Sequence, residues 1–186
     1  MRRGFKAQAE RLALKHRAEF GVSPDQKLDP VKFLGSKGII VWEPKDIPGL
    51  AQETLRHLTE VDPDAWSGMT LREGTLRAII INSAHGKPRK ANTLMHEWAH
   101  IELNHKPNRA DRSEGGLLLL SDYPSDIEDE ADWLAGCMLA PRDGLLNLCR
   151  QGYDVDQVAG HYGISSQLAR WRIGKTGIRR QLGNRY

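Results

Sequence analysis

Long apolar runs are missing from this chain. The longest purely aliphatic stretch is Leu117–Leu120, far short of the roughly 18 residues that a membrane-spanning helix needs. Cysteine is scarce as well: Cys137 and Cys149 are the only two, and they form no CxxC pair. That excludes a disulfide scaffold and points to buried thiols in a reducing cytosol. The opening residues Met1-Arg2-Arg3-Gly4-Phe5 turn polar again at Lys6, so no secretory leader and a cytoplasmic location are expected. Internal repeats and low-complexity segments are absent too. What is present, 39% hydrophobic and 27% charged residues over 186 positions, is the composition of an ordinary globular domain with room for a small appendage. The net charge of +3 is modest, but from Arg170 onward Arg170, Arg172, Lys175, Arg179, Arg180 and Arg185 stand without an acidic residue. Such an end usually serves as a solvated terminus, and less often meets nucleic acid or an acidic partner.

Periodicity sketches an α+β chain with its strands in the first half and helices in the second. An amphipathic helix is expected over residues 5–20, and Asp29-Pro30 opens a short helix through Leu34. Ile39 to Trp42 reads as a buried strand, and Pro48 to Leu58 as a helix closed by Asp62-Pro63-Asp64. Trp66 to Arg72 and Thr75 to Asn82 flank Glu73-Gly74 as a hairpin. A helix over Ala91–Asn104 follows, then a loop of some twenty residues holding Gly115-Gly116, a length that usually has a functional reason. Helices are expected over 125–139 and 141–150, and two short ones over 155–162 and 165–173 split by Gly163.

The chemistry concentrates in His96-Glu97-Trp98-Ala99-His100, an HExxH motif. Residues i and i+4 lie on one helical face a turn apart, so both imidazoles can reach one ion. Zn²⁺ accepts neutral imidazole and, at a catalytic site, leaves one position for water. Glu97 is placed to take a proton from that water and pass it to a leaving amine. The flanking Leu94, Met95, Trp98, Ala99, Ile101 and Leu103 bury the helix, and a metal offsets the cost of burying its polar residues. Glu128 is the expected third ligand. Asp132, one turn on and on the same face as Ala131 and Ala135, is the expected acceptor for a histidine ring N–H. Two structural uses compete: Ser125 with Glu128 forms a capping-box pattern, and the acidic residues suit a helix N-terminus. Glu130 is the rival ligand, about 160° around the helix from Asp132. Mn²⁺ or Fe²⁺ would also satisfy a His/His/Glu set.

Thr93 to Ile101 and Glu128 to Pro141, with the Val158–Ser165 and Arg170–Ile173 segments, resemble the ImmA/IrrE family of metallopeptidases over nearly the whole sequence. Leu134 departs from the phenylalanine usual in that pattern. The resemblance implies a gluzincin-type, zincin-like domain (residues 1–150) with a small mixed or antiparallel sheet and an active-site helix, followed by a helix-turn-helix-like module (residues 151–186). It also implies His96, His100 and Glu128 as metal ligands, Glu97 as the catalytic residue, and a helix-turn-helix repressor as the protein substrate.

A substrate strand can add to a sheet edge beside the metal; Leu76 to Asn82 is the best candidate, and it reads equally well as an interior strand. Tyr123, His105 and His161 are the candidate donors for an oxyanion. The C-terminal module has the outline of a DNA reader, with Ser165, Ser166, Gln167 and Arg170 near the start of its second helix, but Leu168, Trp171 and Ile173 argue that this helix packs inward. Two other readings use the same residues: a metal-stabilised module that binds a repressor or toxin without cutting it, and a DNA-binding regulator.

Overall fold

The computed structural model describes the chain apart from residues 48, 63, 108, 113–117, 122 and 184–186. The Gly115-Gly116 pair, Pro48, Pro63 and Arg185 therefore lie outside the described residues. The architecture is mixed α+β: nine α-helices among the described residues and a five-stranded sheet of order β1-β3-β2-β5-β4. The strands are β1 (Ile40–Trp42), β2 (Gly68–Glu73), β3 (Leu76–Ile81), β4 (Arg109–Arg112) and β5 (Leu118–Ser121). β1 runs parallel to β3, and the remaining pairs are antiparallel. Gly74, at φ 53°, supplies the left-handed residue that a two-residue hairpin between β2 and β3 needs.

β3 is interior, so it offers no free edge; the outer strands are β1 and β4. Its continuous apolar run follows from burial on both faces. Ile79 and Ile81 join the main core, while Ala78 and Ile80 join Leu71 in a smaller cluster on the opposite face, capped by Trp42, Ile47 and Trp66. The segment expected to be a long loop carries β4 and β5. It becomes strand by pairing with β2 (Thr70 opposite Leu120), a non-local partner that residue pattern cannot reveal.

The helices are α1 (Phe5–Glu19), α2 (Pro30–Ser36), α3 (Gln52–Arg56), α4 (Lys87–Glu102), α5 (Ser125–Leu139), α6 (Arg142–Arg150), α7 (Val155–Tyr162), α8 (Ser166–Lys175) and α9 (Ile178–Leu182). α3 is shorter than the pattern suggests and continues as a π-helical turn over His57–Val61. α4 starts before its expected first residue, because Pro88 sits in the first turn, where its missing N–H costs nothing. α4 packs against the sheet, α5 and α2, with Trp98 1% exposed and edge-on to Phe33 of α2 and His16 of α1.

One hydrophobic core cluster holds residues from Phe5 to Ile178. Arg172, part of the basic end, is fully buried: its Nη2 donates to Glu10 Oε1 at 2.6 Å and its Nε to the Ala140 carbonyl at 3.0 Å. Arg17 is equally buried and donates to the Met138 and Ser23 carbonyls, each at 2.6 Å. It closes the C-terminal end of α5, whose last carbonyls have no partner within the helix. α7 and α8 meet through Gly163, at φ 68°. Ser165 caps α8 and Ser166 donates to Asp156 at 2.6 Å, so both serines have structural work. No helix among the described residues is long and apolar enough to cross a membrane.

Candidate metal centre

α4 and α5 bring three potential ligands together. His96 and His100, one turn apart on α4, set their Nε2 atoms 3.0 Å from each other. From α5, Glu128 places Oε2 3.1 Å from His96 Nε2 and Oε1 3.4 Å from His100 Nε2. Two zinc bonds of about 2.0–2.1 Å at a tetrahedral angle separate their donor atoms by about 3.3 Å. The three observed separations cluster around that value, so the donor set fits a small tetrahedral cation. Its chemistry, two neutral imidazoles and a carboxylate, suits the same ion.

Glu128 is not used as a cap: α5 is preceded by Pro124 and has no side-chain cap. Glu130, the rival ligand, points elsewhere. Its carboxylate accepts from the Arg2 guanidinium at 2.7 to 3.0 Å and from the Arg2 backbone N–H at 2.7 Å. Burial alone would raise its pKa, but Arg2 holds it below the usual carboxylate range.

The two histidines experience opposite fields. Burial pulls at His96, but Asp132 and Glu128 win and raise its pKa to about 10. Asp132 Oδ1 lies 2.8 Å from His96 Nδ1. His100 is 2% exposed, and burial, with His96 and His105 nearby, lowers its pKa to about 3. One ring is therefore neutral, and the other is charged as long as no other cation sits between the donors. A divalent ion would replace that proton, since ligands bind in deprotonated form.

Glu97 flanks the ligand group. Thr70 donates its hydroxyl to Glu97 Oε2 at 2.8 Å, and burial raises the pKa of Glu97. Thr70 was not among the residues expected from sequence. The available signal was register: Thr70 stands opposite Ile79, whose side chain faces α4, and cross-strand partners share a face. Gly68, two residues earlier on that face, has no side chain where a Cβ would lie 2.5 Å from Thr93 Cγ2. The α4 helix can therefore approach the sheet closely.

The three oxyanion candidates separate. Tyr123 stacks on the His100 ring at 3.8 Å and 23°. Burial, with Glu97 and Glu128 nearby, pushes its pKa up to about 12, so the phenol keeps its proton. His105 lies behind His100, Nδ1 to Nδ1 at 3.1 Å. His161 is remote, bonded to the Asp25 carbonyl.

Comparison with known proteins gives one family. The peptidase M78 family, described as the IrrE N-terminal-like domain, matches residues 51–173, a span that contains α4, α5 and every residue of the site. No curated protein and no solved structure matches the chain.

Proposed function

The chain belongs to the peptidase M78, IrrE N-terminal-like family, a family of metallopeptidases, and from that membership we propose that it is a zinc-dependent endopeptidase acting on a helix-turn-helix transcriptional repressor. The observation that carries the reading is the convergence of His96, His100 and Glu128 within 3.0 to 3.4 Å, beside a carboxylate that is not one of them. His96, His100 and Glu128 would hold the ion, and Asp132 would keep His96 oriented through Nδ1. When bound, the ion supplies Lewis acidity, which makes water acidic near neutral pH.

The rest is the work of this chain's own residues. Glu97 takes the proton of the attacking water and returns it to the leaving amine. Burial favours that role by raising its pKa, which makes the carboxylate a stronger base, and the Thr70 hydroxyl fixes one oxygen so that the other can face the water. Tyr123, protonated across the physiological range, offers a donor for the oxyanion of the tetrahedral intermediate. The substrate class rests on the sequence resemblance to the ImmA/IrrE metallopeptidases.

The test is to incubate the zinc-loaded protein with the helix-turn-helix repressor encoded nearest to it, and to identify products by mass spectrometry. Cleavage at a defined bond is expected, and Glu97→Gln should abolish it with zinc still bound. Cleavage that survives Glu97→Gln sinks the hydrolytic assignment. An intact repressor released from its operator in the presence of both proteins would favour sequestration instead.

A further inference from the structure

Behind His100 lies a histidine to which the peptidase reading gives no role. α4 ends in a Schellman turn. The His105 amide donates to the His100 carbonyl at 3.0 Å, the Asn104 amide donates to the Ile101 carbonyl at 3.1 Å, and Asn104 takes the left-handed conformation at φ 51°. Asparagine is one of the few residues besides glycine that visits this region readily. Such a turn usually brings together two apolar side chains, at the positions that His100 and His105 hold here. In this chain it sets two imidazoles Nδ1 to Nδ1 at 3.1 Å.

The far nitrogen of His105 is informative too. Nε2 is buried without a hydrogen-bond partner among the described residues, and it stands 3.7 Å from Glu130 Oε2. Both side chains are nearly inaccessible, at 6% and 5% exposure. Glu130 is in turn gripped by the Arg2 guanidinium and backbone N–H.

We propose that His105 is a positioning residue for the metal centre: it accepts the Nδ1–H of His100 and so fixes the tautomer and ring plane of that ligand, while Glu130 and Arg2 hold His105 from behind. The inference rests on the reading of His96, His100 and Glu128 as ligands. Proton bookkeeping leaves one arrangement. His100 Nε2 faces His96 and Glu128, so a ligating His100 carries its proton on Nδ1. His105 Nδ1 must then be the acceptor, which puts the His105 proton on Nε2, the nitrogen that faces Glu130. The two ligand histidines are thus supported differently: His96 by the exposed Asp132, His100 by a buried chain that reaches back to the N-terminal arm.

The test measures zinc affinity of the full chain by competition with a chromophoric chelator, and the absorption spectrum of the Co²⁺ form. His105→Phe keeps a ring and removes the acceptor. Zinc affinity should fall 10- to 100-fold, as for other outer supports of metal ligands, and the Co²⁺ bands should shift. His105→Gln offers an oxygen to the same N–H and should recover most of the affinity, which a purely space-filling role would not predict. Arg2→Ala, a change at a side chain 63% exposed that leaves the core intact, should lose several-fold.

Unchanged zinc affinity in folded His105→Phe overturns the proposal, as does an equal loss in the Phe and Gln variants. If His105→Phe does not fold, Gln and Arg2→Ala decide it: wild-type affinity in Arg2→Ala with full loss in Gln overturns it. The peptidase reading fails separately, on the cleavage assay with Glu97→Gln. A wild-type chain that binds no zinc would sink both.

Discussion

Thr70 on β2 donates to Glu97 on α4 at 2.8 Å, so the sheet as well as the helix sets where the Glu97 carboxylate points. Thr70 is 2% exposed, and little water can replace its hydroxyl. Thr70→Val keeps the shape and removes the donor. A hydrogen bond to a charged group contributes about 1.5–3 kcal/mol, so kcat should fall by about 10- to 100-fold, with KM and zinc affinity nearly unchanged. Steady-state kinetics on a cleavable peptide check this. An unchanged kcat would show that Glu97 is oriented without Thr70.

The same relationship marks the limit of what the sequence could reveal. The convergence of His96, Glu97, His100, Glu128 and Asp132 was legible because each lies on a helix whose spacing fixes its face. Thr70 reaches the site from a strand: the β2–β3 hairpin fixes the face it shares with Ile79, but no local pattern says that α4 packs on that face. His105 could be seen as a residue near the site, but its place behind His100 needs the left-handed backbone at Asn104. β3 and α5 were legible because their patterns are strong. β4 and β5 were not, since only their partners make them strands. Pro88 hid the first turn of α4, because a proline that breaks a helix interior is harmless at its start.

Metal removal should be visible in stability as well as in activity. Without a metal ion the proton on His96 lies among the two Nε2 atoms 3.0 Å apart and the Glu128 carboxylate, and a divalent ion would take its place. An ion that binds only the folded chain stabilises it by about 2.7 kcal/mol at a hundredfold excess over its dissociation constant. Thermal unfolding with a chelator, then with added Zn²⁺, should show a rise of several degrees that Glu128→Ala removes. Equal midpoints in wild type with and without zinc would count against the ligand set.

Arg172 and Glu10 form the contact that joins the C-terminal helices to α1, at 2.6 Å with Arg172 fully buried. Glu10 also accepts from the Arg142 backbone N–H at 3.2 Å. Removing one partner of a buried pair strands the other charge, at about 3–5 kcal/mol. Glu10→Ala should therefore lower the denaturant midpoint strongly, far more than Arg179→Ala on the exposed face of α9. Similar small losses in both variants would mean that the contact carries little of the docking.

Both cysteines should resist labelling in the folded chain. Cys137 is 0% and Cys149 3% exposed, and burial raises both thiol pKa values. The reactive species is the thiolate, and a raised pKa lowers its fraction at pH 8. A thiol reagent at pH 8 should react with neither in the native state and with both in denaturant. Fast native labelling at either site would contradict its burial.

Tyr123 combines a ring stacked on His100 at 3.8 Å with a phenol whose pKa burial pushes up to about 12. Tyr123→Phe keeps the first and deletes the second. If the hydroxyl donates to the developing oxyanion, its loss is felt mainly in the transition state. The variant should then bind zinc as wild type does and show kcat reduced by about 10²- to 10³-fold at nearly constant KM. Tyr123→Ala removes the stack as well, so it alone should also weaken zinc binding through a looser His100. A Phe variant with full activity would restrict Tyr123 to packing against His100, and the oxyanion donor would then have to come from elsewhere in the site.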